Sequence, residues 1–144
     1  PEQSEQFREM LKQLDLGLEE RMTAHVGLLS GGQRQALTLL MATLVRPQLL
    51  LLDEHTAALD PKTAAKVLEL SDRIVAENGL TTMMVTHNMK DAIAHGNRLI
   101  MMDAGRVVLD ISGWEKQKLT VPDLLALFSE AGGTDAADDK LLLA

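Results

Sequence analysis

The stretch LLLLDEHTAALDP, residues 49–61, combines an apolar run, two acids and the start of a helix. The four leucines make a short segment, because Pro47 precedes them and Asp53 and Glu54 follow. A short, continuous apolar run of this kind predicts a strand that is buried on both faces. Asp60 followed by Pro61 is typical of an N-cap with proline at the first helical position. The stretch therefore predicts a strand, a turn and a helix that runs to about residue 77.

A second β-rich run lies at residues 81–86, after a helix stop at Asn78 and Gly79. Strand, helix and strand of these lengths form a βαβ unit with parallel strands and a right-handed connection. Ligands bind beyond the carboxyl ends of parallel strands. Because Asp53 and Glu54 end the first strand and His87 follows the second, we expect all three on one rim of an α/β fold.

A second informative stretch is LLSGGQRQALTLL at residues 28–40. Ser30 and Gln33 have the spacing of a capping box, which is a common helix start and favours a structural interpretation. The glycines between them also allow a phosphate to approach the free amides of a helix N-terminus. Residues 36–45 are apolar nearly all round, which predicts a helix that is buried on most sides and ends before Pro47.

The flanking segments predict further elements. Apolar residues at helical spacing indicate an amphipathic helix that stops near Gly17, and residues 18–22 indicate a short helical stretch. Residues 88–95 predict a short helix, and residues 98–110 predict two strands joined by a tight turn. A last helix is expected at residues 121–129. It precedes a mobile tail at residues 130–140 and three leucines that could dock on the fold.

Composition narrows the function. The net charge of −7 disfavours a nucleic-acid partner, because binding of phosphate backbones needs clustered Lys and Arg. The chain has 144 residues and no cysteine, which excludes disulfides and thiolate metal sites. No apolar run approaches the roughly 20 residues of a membrane span, and no leader peptide is evident at the start. We expect a cytoplasmic protein.

The acids and the imidazole are residue types that nucleotide hydrolysis uses. One carboxylate holds Mg²⁺, a second group orients the attacking water, and a donor stabilises charge on the transferred phosphoryl group. Asp53, Glu54 and His87 fit these roles in that order. Each acid could equally be a solvated strand end, and His87 could cap the next helix. The other histidines receive no role: His25, His55 and His95.

Four motifs in this order resemble the ATPase domains of the ATP-binding cassette (ABC) family. LSGGQ at residues 29–33 resembles the signature motif, and LLLLDE at residues 49–54 resembles Walker B. AALD at residues 57–60 and TH at residues 86–87 resemble the D-loop and the H-loop. The resemblance covers about residues 1–112. It implies a partial P-loop NTPase (RecA-like) parallel sheet with flanking helices, a C-terminal β-hairpin and part of a helical subdomain.

The resemblance also implies domain boundaries and roles across a dimer. Residues 1–46 would belong to the helical subdomain, residues 47–112 to the ATPase core, and residues 113–144 to a C-terminal helix and tail. ATP would be sandwiched between two subunits, and the signature residues would contact its γ-phosphate from the partner side: Ser30, Gly31, Gly32 and Gln33. Asp60 would lie at the interface between the subunits.

For hydrolysis, the resemblance implies that Asp53 binds Mg²⁺ through water, that Glu54 polarises the lytic water and that His87 contacts the γ-phosphate. The implied partners are a second ATPase subunit, transmembrane permease subunits and a substrate-binding protein. The implied location is the cytoplasmic face of the cell membrane. Import is slightly favoured over export, because no membrane span is fused to this chain.

Two family motifs are absent from the sequence, namely the Walker A loop and the Q-loop glutamine. No lysine follows a glycine, and no aromatic residue is placed to stack on adenine. Most of the binding energy for a nucleotide comes from the Walker A nest and its lysine. We therefore expect a C-terminal portion of a transport ATPase that, alone, binds ATP weakly, is inactive, and self-associates to hide apolar surface.

Two other functions remain open at this point. The chain could be part of a soluble ABC ATPase of the translation or DNA-repair kind. It could also be a non-catalytic regulatory or binding module that kept the fold, although the presence of Glu54 and His87 argues mildly against that interpretation.

Overall fold

The computed structural model describes residues 2–131. The described chain divides into two compact units, of which the first ends at Val85 and the second begins at Thr86. The sequence-based boundaries after residues 46 and 112 stay predictions. The elements, in chain order, are α1 (Glu2–Lys12), α2 (Gly31–Thr43), β1 (Leu50–Asp53), α3 (Pro61–Asn78), β2 (Thr82–Val85), α4 (Met89–Ala94), β3 (Arg98–Asp103), β4 (Arg106–Ser112), α5 (Gly113–Gln117) and α6 (Val121–Glu130). Two single 3₁₀ turns lie at Leu18–Glu20 and Val26–Leu28.

The first unit is built on the parallel pair β1 and β2, which α3 connects. The amide of Leu50 donates to the carbonyl oxygen of Thr81 at one end of the pair, and the amide of Glu54 donates to that of Val85 at the other, both at 2.9 Å. Leu50 and Leu52 are buried in a core that helices α2 and α3 share. The α/β class and the parallel pairing are therefore confirmed.

The prediction that β1 is buried on both faces is wrong. Leu50 and Leu52 are buried, but Leu51 between them is 64% exposed, and Met83 and Val85 of β2 are about half exposed. Successive side chains of a strand point to opposite faces of the sheet. The described residues cover one of these faces and leave the other, although apolar, in contact with solvent.

The prediction that α2 is buried on most sides is also wrong. Its buried residues are Gly32, Ala36 and Leu39, whose spacing places them on one face of the helix. Met41 is 63% exposed, and Leu44 directly after the helix is also exposed. Apolar composition alone did not reveal that only one face has a packing partner.

Gly32 of α2 lies close to α3. A Cβ atom at this position would lie 2.3 Å from Cγ2 of Thr63 and 3.9 Å from Cγ2 of Val67. A Cβ atom at Gly31 would lie 2.9 Å from Cδ2 of Leu59. Glycine therefore allows the signature helix to pack directly on the first turns of α3.

The predicted start and stop of α3 are confirmed. Oδ1 of Asp60 accepts a hydrogen bond from the amide of Thr63 at 3.0 Å, and Pro61 is the first residue of the helix. Gly79 ends the helix in the left-handed conformation, with φ of 56°. Local sequence signals determine both ends of this helix.

The second unit contains the predicted hairpin, with β3 and β4 antiparallel. The turn residues Ala104 and Gly105 have φ of 47° and 76°, as a tight hairpin turn with two left-handed residues requires. A register shift lies between Met101 and Met102. The inward face of the hairpin includes Leu99, which is buried.

Helix α5 was not predicted, and it carries a buried lysine. Nζ of Lys116 donates hydrogen bonds to the carbonyl oxygens of Ile93 and His95, the latter at 3.0 Å, at the C-terminal end of α4. Burial lowers the pKa of Lys116. A cation is well placed there because the last carbonyls of a helix lack intrahelical partners.

Helix α6 confirms the prediction of a helix at residues 121–129, and Thr120 and Asp123 form its capping box. Beyond Ala131, the predicted tail and the leucines at residues 141–143 lie outside the described residues. None of the helices described between residues 2 and 131 has the length and hydrophobicity that a membrane span requires.

Gly32→Ala is expected to lower the free energy of unfolding by about 1–2 kcal/mol, measured by urea denaturation. The added methyl group overpacks the contact between α2 and α3, which costs about 1–3 kcal/mol. The higher helix propensity of alanine offsets at most about 1 kcal/mol of this cost.

Two further variants test the cause. Thr63→Ser removes the methyl group that the new Cβ would strike, so the double variant Gly32→Ala/Thr63→Ser should regain most of the lost stability. Gly27→Ala is the matched control, because a Cβ atom there meets nothing within 4 Å. Equal losses for Gly27→Ala and Gly32→Ala would contradict the packing explanation.

Asp60 is expected to make the first unit acid-sensitive. Its pKa lies below the model-compound value of 3.8, because the side chain of Thr63, and then the backbone amide of Thr63, donate hydrogen bonds to the carboxylate. A carboxyl with a depressed folded-state pKa stabilises the fold above its unfolded pKa and loses this effect as the pH falls through the folded value.

Urea denaturation at pH steps between about 5 and 2 should therefore show a steeper loss for the wild type than for Asp60→Asn. Asparagine also caps helices well and does not titrate, so it isolates the charge. Parallel curves for the two proteins would show that the Asp60 cap contributes nothing to acid sensitivity.

Candidate functional site

The signature segment forms the N-terminus of α2 with the predicted capping box. The amide of Gln33 donates to Oγ of Ser30 at 3.2 Å, and the amide of Ser30 donates to Oε1 of Gln33 at 3.0 Å. Nε2 of Gln33 also donates to the carbonyl oxygen of Leu16 at 2.9 Å. The side chain of Gln33 is thus engaged at both of its polar atoms within the first unit.

The amides of Gly31 and Gly32 are the donors that this helix start offers to an anion. As first-turn amides they have no intrahelical acceptor, and the capping box uses those of Ser30 and Gln33 instead. The first turn of α2 contains no acidic residue. Since the helix has 13 residues, its dipole adds partial positive charge at this end. The arrangement suits a phosphate oxygen near Ser30.

The carboxyl end of β1 presents the two acids. Asp53 is the last strand residue and is exposed, whereas Glu54 is half-buried. Glu54 has φ of 48°, which is uncommon for a residue other than glycine. Its carbonyl oxygen accepts a hydrogen bond from the amide of Ala57 at 3.1 Å. The chain therefore leaves the sheet in a tight turn, and such backbone outliers are concentrated at functional sites.

His55 has a contact that the sequence analysis missed. Its Nε2 lies 3.1 Å from Oγ of Ser71, which is buried in the middle of α3. The two residues are 16 positions apart, and no local sequence signal relates them. The turn after Glu54 is thus attached to α3 by a side chain.

Asp60 ends the same turn and is exposed, with its carboxylate used as the N-cap of α3. The structure also connects Asp60 to the signature helix. Thr63 donates to the Asp60 carboxylate, and its methyl group contacts the site of Gly32. The predicted roles of Asp60 at a subunit interface and of the signature residues at a γ-phosphate stay predictions.

His87 lies in the second unit and is exposed. The interpretation of His87 as the cap of the next helix is wrong, because Asn88 is the N-cap of α4 and its Oδ1 accepts from the amides of Lys90 and Asp91. His87 follows β2 by two positions along the chain. The predicted meeting of His87 with Glu54 on one rim stays a prediction.

The donor set at the end of β1 fits Mg²⁺ only in company with phosphates. In the described part of the chain, no group of three or more His, Asp or Glu side chains could hold a metal ion by itself. Mg²⁺ is usually bound by one or two carboxylates together with water and substrate phosphates. Asp53, an exposed carboxylate, can supply one such ligand or bind a coordinated water.

Comparison with known proteins agrees with the motifs. The family model described as "ABC transporter" matches residues 2–57. The chain is 52% identical over 122 residues to the tyrosine transport ATP-binding protein of Clostridioides difficile, with 85% of this chain and 49% of that protein covered. It is 43% identical over 97 residues to the aliphatic sulfonates import ATP-binding protein SsuB 2 of Agrobacterium fabrum, with 67% of this chain and 38% of that protein covered.

Other relatives extend the same pattern. The methionine import ATP-binding protein MetN of Xanthomonas campestris pv. campestris is 44% identical over 93 residues, with 65% of this chain and 28% of that protein covered. A solved ABC transporter in an inward-facing conformation, described as of the metal-chelate type, has a similar fold, with a TM-score of 0.63 and 30% sequence identity. The match covers 84% of this chain and 47% of the chain in that structure. The chain spans about half the length of the Clostridioides difficile relative. It spans smaller shares of the Agrobacterium and Xanthomonas relatives. By these matches, the chain resembles part of the ATPase domain of the ABC transporter family.

Proposed function

We propose that this chain is the signature-helix and Walker B part of an ABC import ATPase subunit, which hydrolyses Mg-ATP to drive solute uptake. The observation that carries the proposal is the placement of two features in one compact unit. The capped, glycine-containing N-terminus of α2 offers amides to a phosphate, and β1 ends in Asp53 and Glu54. The named relatives are mostly import ATP-binding proteins.

In this proposal, each feature serves a different nucleotide of a two-subunit assembly. Ser30 and the amides of Gly31 and Gly32 bind the γ-phosphate of ATP that the partner subunit holds. Gln33 orients the turn through its hydrogen bonds to Ser30 and Leu16, in addition to any contact with the phosphate. Asp60, at the start of α3, lies where the two subunits meet.

The hydrolytic residues act on the nucleotide that this subunit holds itself. Asp53 would hold Mg²⁺ through water, and the ion would supply positive charge that offsets negative charge on the transferred phosphoryl group. Glu54 orients and polarises the attacking water, and His87 donates a hydrogen bond to the γ-phosphate. Closure of the two subunits then acts on permease subunits, which would hold the ATPase at the cytoplasmic face of the membrane with a substrate-binding protein outside.

We expect the 144-residue chain to bind Mg-ATP with a dissociation constant on the order of 1 mM or weaker, because it lacks a Walker A nest and its lysine. Isothermal titration calorimetry measures this directly. The comparison is an N-extended protein, in which a segment with a Walker A loop precedes the chain. Micromolar affinity of the chain alone would show that the proposed division of binding is incorrect.

Glu54→Gln in the N-extended protein is expected to lower kcat for ATP hydrolysis by at least about 100-fold, since the amide cannot accept a proton from the attacking water. Binding of Mg-ATP should be retained. Glu69→Gln, which alters an exposed glutamate on α3, is the matched control and should keep the wild-type rate. If both variants hydrolyse ATP equally fast, Glu54 does not have the proposed role.

A further inference from the structure

His55 directly follows Glu54 and is joined to a buried hydroxyl on α3. Ser71 is 4% exposed, and its Oγ donates a hydrogen bond to the carbonyl oxygen of Val67 at 2.8 Å. A serine hydroxyl has a single hydrogen. Because that hydrogen is directed at Val67, Nε2 of His55 must be the donor in its 3.1 Å contact with Ser71. The network therefore assigns the Nε2–H form of the imidazole.

The bond acts on a turn whose first residue is strained. Glu54 has a left-handed backbone, with φ of 48°. Its amide is bound to the carbonyl oxygen of Val85, and its carbonyl oxygen is bound by the amide of Ala57. A conformation of this kind persists only where the surrounding contacts over-determine it. The side chain of His55, the next residue, attaches the turn to α3 and restrains the peptide that joins Glu54 to His55.

The anchor point is rigid, because Ser71 lies among the buried residues in the middle of an 18-residue helix. The core of the first unit includes Leu70 and Ile74, on either side of Ser71 in sequence. Loss of His55 would leave the Ser71 hydroxyl with its bond to Val67 but without a donor to its oxygen, which as a buried atom has little access to water. The turn is therefore held against a buried part of α3.

We propose that His55 is a positioning residue for Glu54. Its bond to Ser71 holds the turn after β1 on α3 and keeps the Glu54 carboxylate where it can orient the attacking water. His55 itself contacts no substrate. The inference rests on the proposed function of Glu54 in ATP hydrolysis.

The hydrogen bond between His55 and Ser71 can be tested in the 144-residue chain. Long-range ¹H–¹⁵N NMR correlations at about pH 8, where imidazoles are neutral, should show His55 in the Nε2–H tautomer. Ser71→Ala should remove this preference and leave the tautomer balance of His25 unchanged, since His25 is exposed. An Nδ1–H tautomer in the wild type would overturn the proposal at its first step.

The positioning role needs the N-extended protein. His55→Ala is expected to lower kcat by about tenfold while KM for Mg-ATP changes less than about twofold, because misplacement of a reacting group affects the chemical step. His55→Gln, whose amide can donate to Ser71, should recover most of the rate. Ser71→Ala should lower kcat similarly, and the double variant should lose no more than either single variant. His25→Ala is the control for loss of a histidine.

The outcomes separate the two proposals. If Glu54→Gln is inactive but His55→Ala retains the wild-type kcat, the positioning role is wrong and the role of Glu54 stands. If Glu54→Gln keeps full activity, the proposed function of Glu54 fails, and the positioning role fails with it, even if the tautomer is as expected. Equal losses in kcat for His55→Ala and His55→Gln would also overturn the proposal, because the donor would then not matter.

Discussion

The parallel pairing of β1 with β2 is the interaction on which the first unit depends. Its last hydrogen bond joins the amide of Glu54 to the carbonyl oxygen of Val85. Beyond that bond the chain must leave the sheet and reach the start of α3, which packs back on the strands. The left-handed backbone of Glu54 is the local result of this change in direction. One backbone constraint thus determines both where the sheet ends and where the acid is presented.

The glycines of the signature helix have a packing role as well as the proposed binding role. Gly32 has no side chain because Thr63 of α3 occupies the space, while its amide remains one of the donors of the helix N-terminus. Thr63 also donates to the carboxylate of Asp60. The signature helix and the D-loop residue therefore meet at a single threonine. Close packing against α3 and the proposed phosphate binding are compatible at Gly32. The packing uses the position where a Cβ atom would lie, and the binding uses the amide group.

Much of the fold was predictable from local chemistry. The capping box of Ser30, the Asp60 and Pro61 helix start, the stop at Gly79 and the hairpin turn at Ala104 and Gly105 are all as expected. Helix α5 was missed because five residues are too few to show periodicity. The exposure of Leu51 and Met41 was not predictable, since burial depends on which faces another layer covers. The candidate site residues were identified in the sequence by their positions in the four family motifs. The attachment of His55 to Ser71 left no trace in the sequence, because a contact across 16 residues has no local pattern.

Residue types at short, fixed spacings predicted most of the helices and strands, the caps of α2 and α3, and the resemblance to the ABC family. The packing of the segments was needed to reveal that Gly32 lies against Thr63 and that the described residues leave one apolar face of β1 exposed. The packed structure also reveals that His55, a histidine without an assigned role, contacts Ser71. Close contacts between distant segments depend on how the helices and strands pack. The free energy of that packing belongs to pairs of surfaces rather than to any single stretch of sequence.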